Sequence, residues 1–338
     1  MARNPDSRGV VDRPIRTVYV VLTHDDWGQA ERLVRAIRSS SPEAHVIVAH
    51  DARTTRFPSE VDDARVEVFE HGLATDWGSW ELVEATLLAF GRARDLVDPD
   101  LVCLVSGRDY PIRRLDEWEA EAVATGGWIG DARELRYTPH WGRRRGEGDD
   151  QLTRYTYRWF RSPAAMAGLR PGDGAANRLW RRIRGAVALR LEPVLGVRIV
   201  TRGRGLHYGI RRLRTPFSAE RPCFGGSQWI ALGRRELDRL LDEDLAPGSP
   251  LRRLYRHSVI PDESALVTAL SWHAPPNGMP PVTQVTWDVE ADRPTTRTLD
   301  DLDVLRASGS PFCRKVDPRR SATLMDALDR SIRATPTA

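Results

Sequence analysis

The chain has 338 residues, 41% hydrophobic and 29% charged, the balance of a globular protein and not of a disordered one. Its formal net charge of +4 is too mild to require nucleic acid, and it favours anionic partners such as nucleotides, phosphates or a lipid surface. The cysteines, Cys103, Cys223 and Cys313, follow neither CxxC nor His/Cys zinc spacing, so they predict no disulfide framework and no structural metal.

Residues 1–16 are polar and lack the apolar core of a signal peptide, and they read as a disordered lead. No uncharged apolar run approaches the ~18 residues of a membrane span, so the expected location is the cytoplasm. TVYVVLTH predicts a buried parallel strand ending at His24, followed by a helix over 29–38 with Leu33, Ala36 and Ile37 at helical spacing. HVIVAHD predicts a second strand ending at His50 and Asp51, and RVEVFE another. WGSWELVEATLLAFGRARDL reads as a long helix with Leu82, Ala85, Thr86 and Ala89 on one face. DLVCLVSGRDYPI is a further apolar run, stopped by Gly107. Strands alternating with helices give an α/β class with a Rossmann-like N-terminal sheet and a nucleotide-sized crevice at the strand ends. Asp51 and Asp109, at or just after such ends, are candidate donor-site residues.

From 141 to 214 the chain is dense in arginine and glycine, with poor strand signals. One piece puts Trp180, Ile183, Val187 and Leu191 on a single helical face with arginines elsewhere. Such a helix either covers a core or lies on anionic lipid as a peripheral contact, and ordinary packing is the preferred reading. CFGGSQWIALGRRELDRLLDEDL predicts a Gly-Gly turn, a strand over 228–232 and a helix from Arg234. SVIPDESALVTALSW predicts a helix after Pro261 with Asp262 and Glu263 in its first turn, where carboxylates are favoured. Residues 328–338 read as a tail, a frayed helix after Ala327. The expected organisation is one domain over 17–327, with a nucleotide-binding part (17–140), the Arg-rich variable region (141–214) and an acceptor and catalytic part (215–327).

Several signatures are absent: GxxxxGK[ST], a GxGxxG after the first strand, HExxH and GxSxG. Asp-x-Asp occurs at Asp98-Pro-Asp100, Asp242-Glu-Asp244 and Asp301-Leu-Asp303, none of them ending an apolar strand, so no metal site is expected. Lys315, in FCRKVDP, is the only lysine among 51 basic residues. A lysine is a compact, flexible point charge, whereas arginine is a rigid planar fork, so a site that caps a phosphate from one direction can favour lysine.

Six motifs stand in a distinctive order: VLTHDD (21–26), DWGSWELVEATL (76–87), LVSGRDYPI (104–112), GGSQWIAL (225–232), PDESALVTAL (261–270) and SPFCRKVD (310–317). This series resembles the core-2/I-branching β-1,6-N-acetylglucosaminyltransferases and the related peptide O-xylosyltransferases, over nearly the whole chain except its Arg-rich middle. Cys313 and Val316 depart from the Ala and Phe common in that family. The resemblance implies a GT-A-like nucleotide-sugar fold and inverting transfer from a UDP-sugar, GlcNAc before xylose, without a required metal or other cofactor. It implies Glu263 as catalytic base and Lys315 as a diphosphate contact beside Arg314, with Arg297 or Arg293 as a second cation. It also places Trp287 in the acceptor site, with Arg154 and Tyr155 as further acceptor candidates. The acceptor class stays open among glycan, glycolipid, peptide and small metabolite.

The chemistry is coherent on its own terms. Inverting transfer needs one carboxylate to take the acceptor proton and a cation to neutralise the departing diphosphate. Against this, Glu263 could merely favour a helix N-terminus, and Asp109 could cap a turn. Trp80 and Trp229 read as core rather than sugar platforms. The competing class is a non-catalytic nucleotide- or carbohydrate-binding protein on the same fold.

Overall fold

The structure is a computed structural model and describes residues 14–333 apart from 59, 143, 162–181, 184, 187–189, 201–204, 275–277 and 289–292. In its first half the chain runs β1 (Thr17–Thr23), α1 (Trp27–Ser40), β2 (His45–His50), β3 (Val66–Glu70), α2 (Trp80–Val97), β4 (Leu101–Ser106), β5 (Asp109–Pro111), α3 (Leu115–Ala124) and β6 (Gly127–Trp128). Then follow β7 (Ala132–Glu134), β8 (Tyr137–Thr138), β9 (Glu147–Gly148), α4 (Thr153–Thr156), β10 (Tyr157–Arg161), β11 (Leu195–Val200), β12 (Gly205–Arg211), β13 (Phe224–Gly226) and β14 (Ala231–Gly233). The rest is α5 (Arg234–Arg239), α6 (Pro250–Tyr255), α7 (Ala265–Ser271), β15 (Thr283–Val285), β16 (Trp287–Asp288), β17 (Arg293–Pro294), α8 (Leu302–Ala307), β18 (Phe312–Arg314) and α9 (Ala322–Ser331).

The main sheet has six strands in the order β3-β2-β1-β4-β14-β6. β3, β2, β1 and β4 are mutually parallel, whereas β14 runs antiparallel to both β4 and β6. The fold is therefore α/β with a mixed sheet. Every residue of β1 is buried, which is why its sequence is an unbroken β-branched and apolar run without alternation. Tyr19 and Val21 join Leu33 and Ile37 of α1, Trp118 of α3 and Leu324 of α9 on one face. Val18, Val20 and Leu22 join Phe90 of α2, Leu237 of α5, Leu254 of α6 and Leu266 of α7 on the other. Burying a side chain of this size stabilises by about 1.5–3 kcal/mol, so these two layers carry most of the favourable term.

Three expectations change. The Arg-rich middle holds an antiparallel sheet, β10-β12-β11. In YRWFR, Tyr157 and Trp159 are buried while Arg158 and Phe160 are exposed, a period-two alternation that the density of arginine conceals. Gly225 and Gly226 form no turn: both lie in β13, extended and paired with β7, so the next strand begins only at Ala231. The helix expected after Ala327 is present but not frayed up to residue 332, because α9 runs to Ser331 and Leu328 and the capping Ile332 sit in the core at 0% and 1% exposure. Its apolar residues recur at helical spacing, and Asp329 fastens it to Arg32 of α1 at 2.9 Å and to the Tyr110 hydroxyl of β5 at 2.6 Å. The amphipathic helix read around Trp180 falls mostly outside the described residues.

Candidate active site

The order 3-2-1-4 changes direction between β1 and β4, and ligands of open α/β sheets bind beyond the carboxyl ends of the strands at such a reversal. There the two strand exits approach closely. The Gly107 amide donates to the Leu22 carbonyl at 2.9 Å, and a Cβ at Gly107 would meet Thr23 Cγ2 at 2.9 Å. Arg108 reaches back across the exit to Asp25 at 2.7 Å and Asp26 at 3.4 Å. Lys315 is pinned beside it. Val316 N–H donates to the Arg108 carbonyl at 2.9 Å, Arg297 N–H donates to the Lys315 carbonyl at 2.9 Å, and Lys315 N–H donates to the Thr295 carbonyl at 3.3 Å. The Lys315 side chain is exposed, and no described residue forms a hydrogen bond or ion pair with its ammonium. Partial desolvation, then the charge of Arg108, holds that ammonium below the usual lysine range, with Asp25 opposing. The result is an exposed, partly desolvated cation beside Arg108.

Its sequence neighbour faces the other way. Arg314 Nε lies 3.1 Å from Asp109 Oδ1, and the guanidinium stacks over Trp229 at 4.1 Å. Asp109 is fully buried and accepts from the Ser106 amide at 2.9 Å; burial raises its pKa, while Arg314 pulls it down. This pair positions β18 against β5, where Arg314 stands opposite Asp109. Arg297 is likewise interior at 3% exposure and is bonded to Asp301 at 3.1 Å. Arg293 is exposed, on the β16–β17 hairpin that also presents Trp287, 47% exposed. Thr295 N–H donates to the Thr286 carbonyl at 2.8 Å, which sets this hairpin next to Lys315.

At the exit of β2, Asp51 is buried and occupied. It receives Arg53 Nη2 at 2.8 Å, the Thr75 hydroxyl at 2.7 Å and the Thr75 amide at 3.0 Å. Burial opposes its charge, yet these donors hold its carboxyl well below the usual range. Asp51 thus orders the loop that leads into α2. That loop ends in Trp77-Gly78-Ser79, and the Gly78 carbonyl accepts Ile260 N–H at 3.1 Å. Ile260 has a left-handed backbone (φ 52°, ψ 53°), a strained state for a β-branched residue that costs about 1–3 kcal/mol unless its surroundings enforce it. They do: the buried Tyr155 hydroxyl donates to the Ile260 carbonyl at 3.0 Å, and Trp77, Tyr157 and Trp159 pack around it.

This bend starts a separate 3-10 turn, Pro261–Glu263, and α7 begins only at Ala265. Glu263 therefore lies in the 3-10 turn ahead of the helix and outside the helix's own first turn, contrary to expectation. A hydrogen-bonded group behind the turn fixes it: Tyr255 O–H lies 2.7 Å from Ser264 Oγ and donates to Thr268 Oγ1 at 3.0 Å, and both hydroxyls reach the Phe224 carbonyl. Glu263 Oε2 receives Arg154 Nη1 at 2.5 Å, with the glutamate side chain 40% exposed and the arginine 14%. Burial opposes the charge of Arg154, but Tyr155 and Glu263 beside it keep the guanidinium above its ordinary range. So Arg154 meets Glu263, while Tyr155 braces the turn from inside.

Sequence reasoning missed Arg108 and Asp25. Both stand in quoted motifs, but only the strand order shows that they share the switch point. Two of the Asp-x-Asp pairs lie elsewhere, Asp98 and Asp100 with Arg16 and Arg234, and Asp242 with Arg94 and Asp244 with His273, whereas Asp301 of the third bonds Arg297 behind Lys315. The three cysteines are buried and free. No described group of three His, Cys, Asp or Glu could hold a metal ion, and no described helix is long and apolar enough to cross a membrane. Comparison with models of known protein families and with curated proteins finds no match.

Proposed function

We propose that the protein is an inverting, metal-independent glycosyltransferase with a GT-A-like fold, which moves a sugar from a UDP-sugar to an acceptor hydroxyl. GlcNAc is the proposed sugar, with xylose as the alternative. The observation that supports this reading is the unpaired ammonium of Lys315 at the strand-order reversal, together with a half-buried carboxylate, Glu263, whose turn is tied to the β2 exit through Ile260, Gly78 and the loop ordered by Asp51. In the proposed reaction Glu263 takes the acceptor O–H proton as the acceptor oxygen attacks the anomeric carbon. The bond from that carbon to the β-phosphate oxygen breaks, and UDP leaves with its growing charge against Lys315, with Arg108 nearby. Arg154 holds Glu263 by a hydrogen bond of 2.5 Å before the acceptor arrives. Because an ion-paired carboxylate accepts a proton less readily, the acceptor must draw Glu263 off Arg154 as it docks. Trp287 and Arg293, exposed on the neighbouring hairpin, offer a stacking face and a second cation.

The test is Glu263→Gln, which keeps the volume and removes the proton acceptor. It should lower kcat by ~10²-fold or more while UDP affinity stays close to wild type. Retention of more than about a tenth of wild-type kcat would remove Glu263 from this role. Thermal shift with UDP-GlcNAc and UDP-xylose decides the donor.

A further inference from the structure

A second concentration of cations lies away from Lys315. A cleft of about 530 Å³ opens between β10, the segment after β12, and α6, lined by Arg158, Arg212, Arg214, Arg253, Arg256 and His257. Its size is that of small-molecule sites. Some exposed arginines of this molecule meet carboxylates, as Arg53 meets Asp51 and Asp76 and Arg136 meets Glu134, and others, such as Arg56 and Arg235, pair with no described carboxylate. Here no carboxylate lines the cleft among the described residues, and none of the five arginines pairs with a described one. Arg212 is built into the wall, donating to the Leu254 carbonyl at 2.9 Å and the Tyr157 carbonyl at 3.3 Å. Arg158, Arg214, Arg253 and Arg256 are exposed. Burial, then Arg158, Arg212 and Arg256, holds the His257 imidazole below its ordinary range, as expected in a positive local field.

Like charges gathered without counterions repel, and a bound anion would relieve that repulsion. Guanidinium forks match phosphate oxygens two at a time, better than a lysine patch would. We propose that this cleft is a second anion site, for a phosphate-bearing ligand distinct from the group at Lys315. Its wall leads directly to the candidate base: the His257 carbonyl accepts Trp159 N–H at 3.0 Å, and the chain reaches Glu263 through Ile260 and Pro261. If the glycosyltransferase reading holds, the phosphate belongs to the acceptor side; the binding itself does not depend on that reading.

The probe is inorganic tripolyphosphate, titrated calorimetrically into the full-length protein at low salt without any donor. Wild type and Lys315→Ala should bind it alike, weakening as salt rises. The double variant Arg253→Ala/Arg256→Ala should bind at least tenfold more weakly with an unchanged melting temperature, since both side chains are exposed. Vesicles containing phosphatidic acid form the second arm. Sedimentation with them but not with phosphatidylcholine, lost in the double variant, would assign the phosphate to a lipid headgroup; tripolyphosphate binding without sedimentation would assign it to a soluble ligand. The proposal fails if neither probe binds, if the double variant binds both like wild type, or if Lys315→Ala alone abolishes binding.

Discussion

Gly78→Ala probes whether backbone packing holds the turn that presents Glu263. Gly78 has φ +69°, where an L residue with a Cβ pays a conformational penalty of about 1–2 kcal/mol. An added methyl would sit 3.1 Å from Ile260 Cγ1 and 3.5 Å from Ile260 Cα. Ile260 cannot retreat freely, because its amide is bonded to the Gly78 carbonyl and its own carbonyl to Tyr155; loosening one of these bonds adds about 1 kcal/mol. The expected loss is therefore about 2–3 kcal/mol, a fall in Tm of roughly 4–12 °C at the usual 2–4 °C per kcal/mol. Gly91 is the control. It lies within α2 with nothing within 4 Å of an added Cβ, so Gly91→Ala should gain about 0.5–1 kcal/mol. Circular-dichroism melts of the two variants should move in opposite directions. In transfer assays well below the melt, Gly78→Ala should also lose kcat, because the methyl pushes on the residue from which the Glu263 turn springs. A Gly78→Ala protein that melts within a degree of wild type would show that the contact carries no strain and would sink the reasoning.

Lys315→Ala should weaken UDP about tenfold and cut kcat by about 10²–10³-fold, since the leaving oxygen is most charged in the transition state. Lys315→Arg should restore only part of this, and full activity in Lys315→Ala, measured by steady-state kinetics, would return the lysine to chance. Wild-type activity should be indifferent to EDTA and to added Mn²⁺; silencing by EDTA with rescue by Mn²⁺ would overturn the metal-independent scheme. Asp51→Asn should cost about 1–2 kcal/mol at pH 7, discounted because Arg53 is 49% exposed. The folded pKa of Asp51 lies below its unfolded value, so this contribution is present above about pH 4 and disappears as pH falls through the folded value. Urea melts of both proteins at pH 7 and pH 3 should thus differ by less in acid, and an equal difference at both would contradict the assignment.

The parallel strands were legible because burial on both faces demands continuous apolar runs, and β1, β2 and β4 show them plainly. β10 and β12 were not, since the arginines of YRWFR and the glycines of GLHYGIR look like a solvated loop until the register is known. Pro261 correctly marked a beginning, but whether a helix or a 3-10 turn begins there depends on the left-handed Ile260. That conformation is imposed by Tyr155 and Gly78, which are remote in sequence. Arg314 and Lys315 show the same limit at finer grain. Adjacent residues at a strand end face opposite ways, and only the partner Asp109 reveals which one turns inward. The roles of Arg108 and Asp25 rest on strand order, which no local pattern contains.

The placement of β18 has a consequence for biosynthesis. β1 to β4 and their helices are complete within the first third of the chain, and their contacts can form as soon as that stretch leaves the ribosome. β18 belongs to a different sheet, lying between β15 and β5, and its partner helix α9 must clamp onto α1 and Tyr110 from the far end of the chain. Until then the rim between β1 and β4 lacks Lys315. A nascent polypeptide would therefore hold the β1 and β4 exits, with Arg108 already paired to Asp25 and Asp26, before the segment that carries Lys315 arrives beside them.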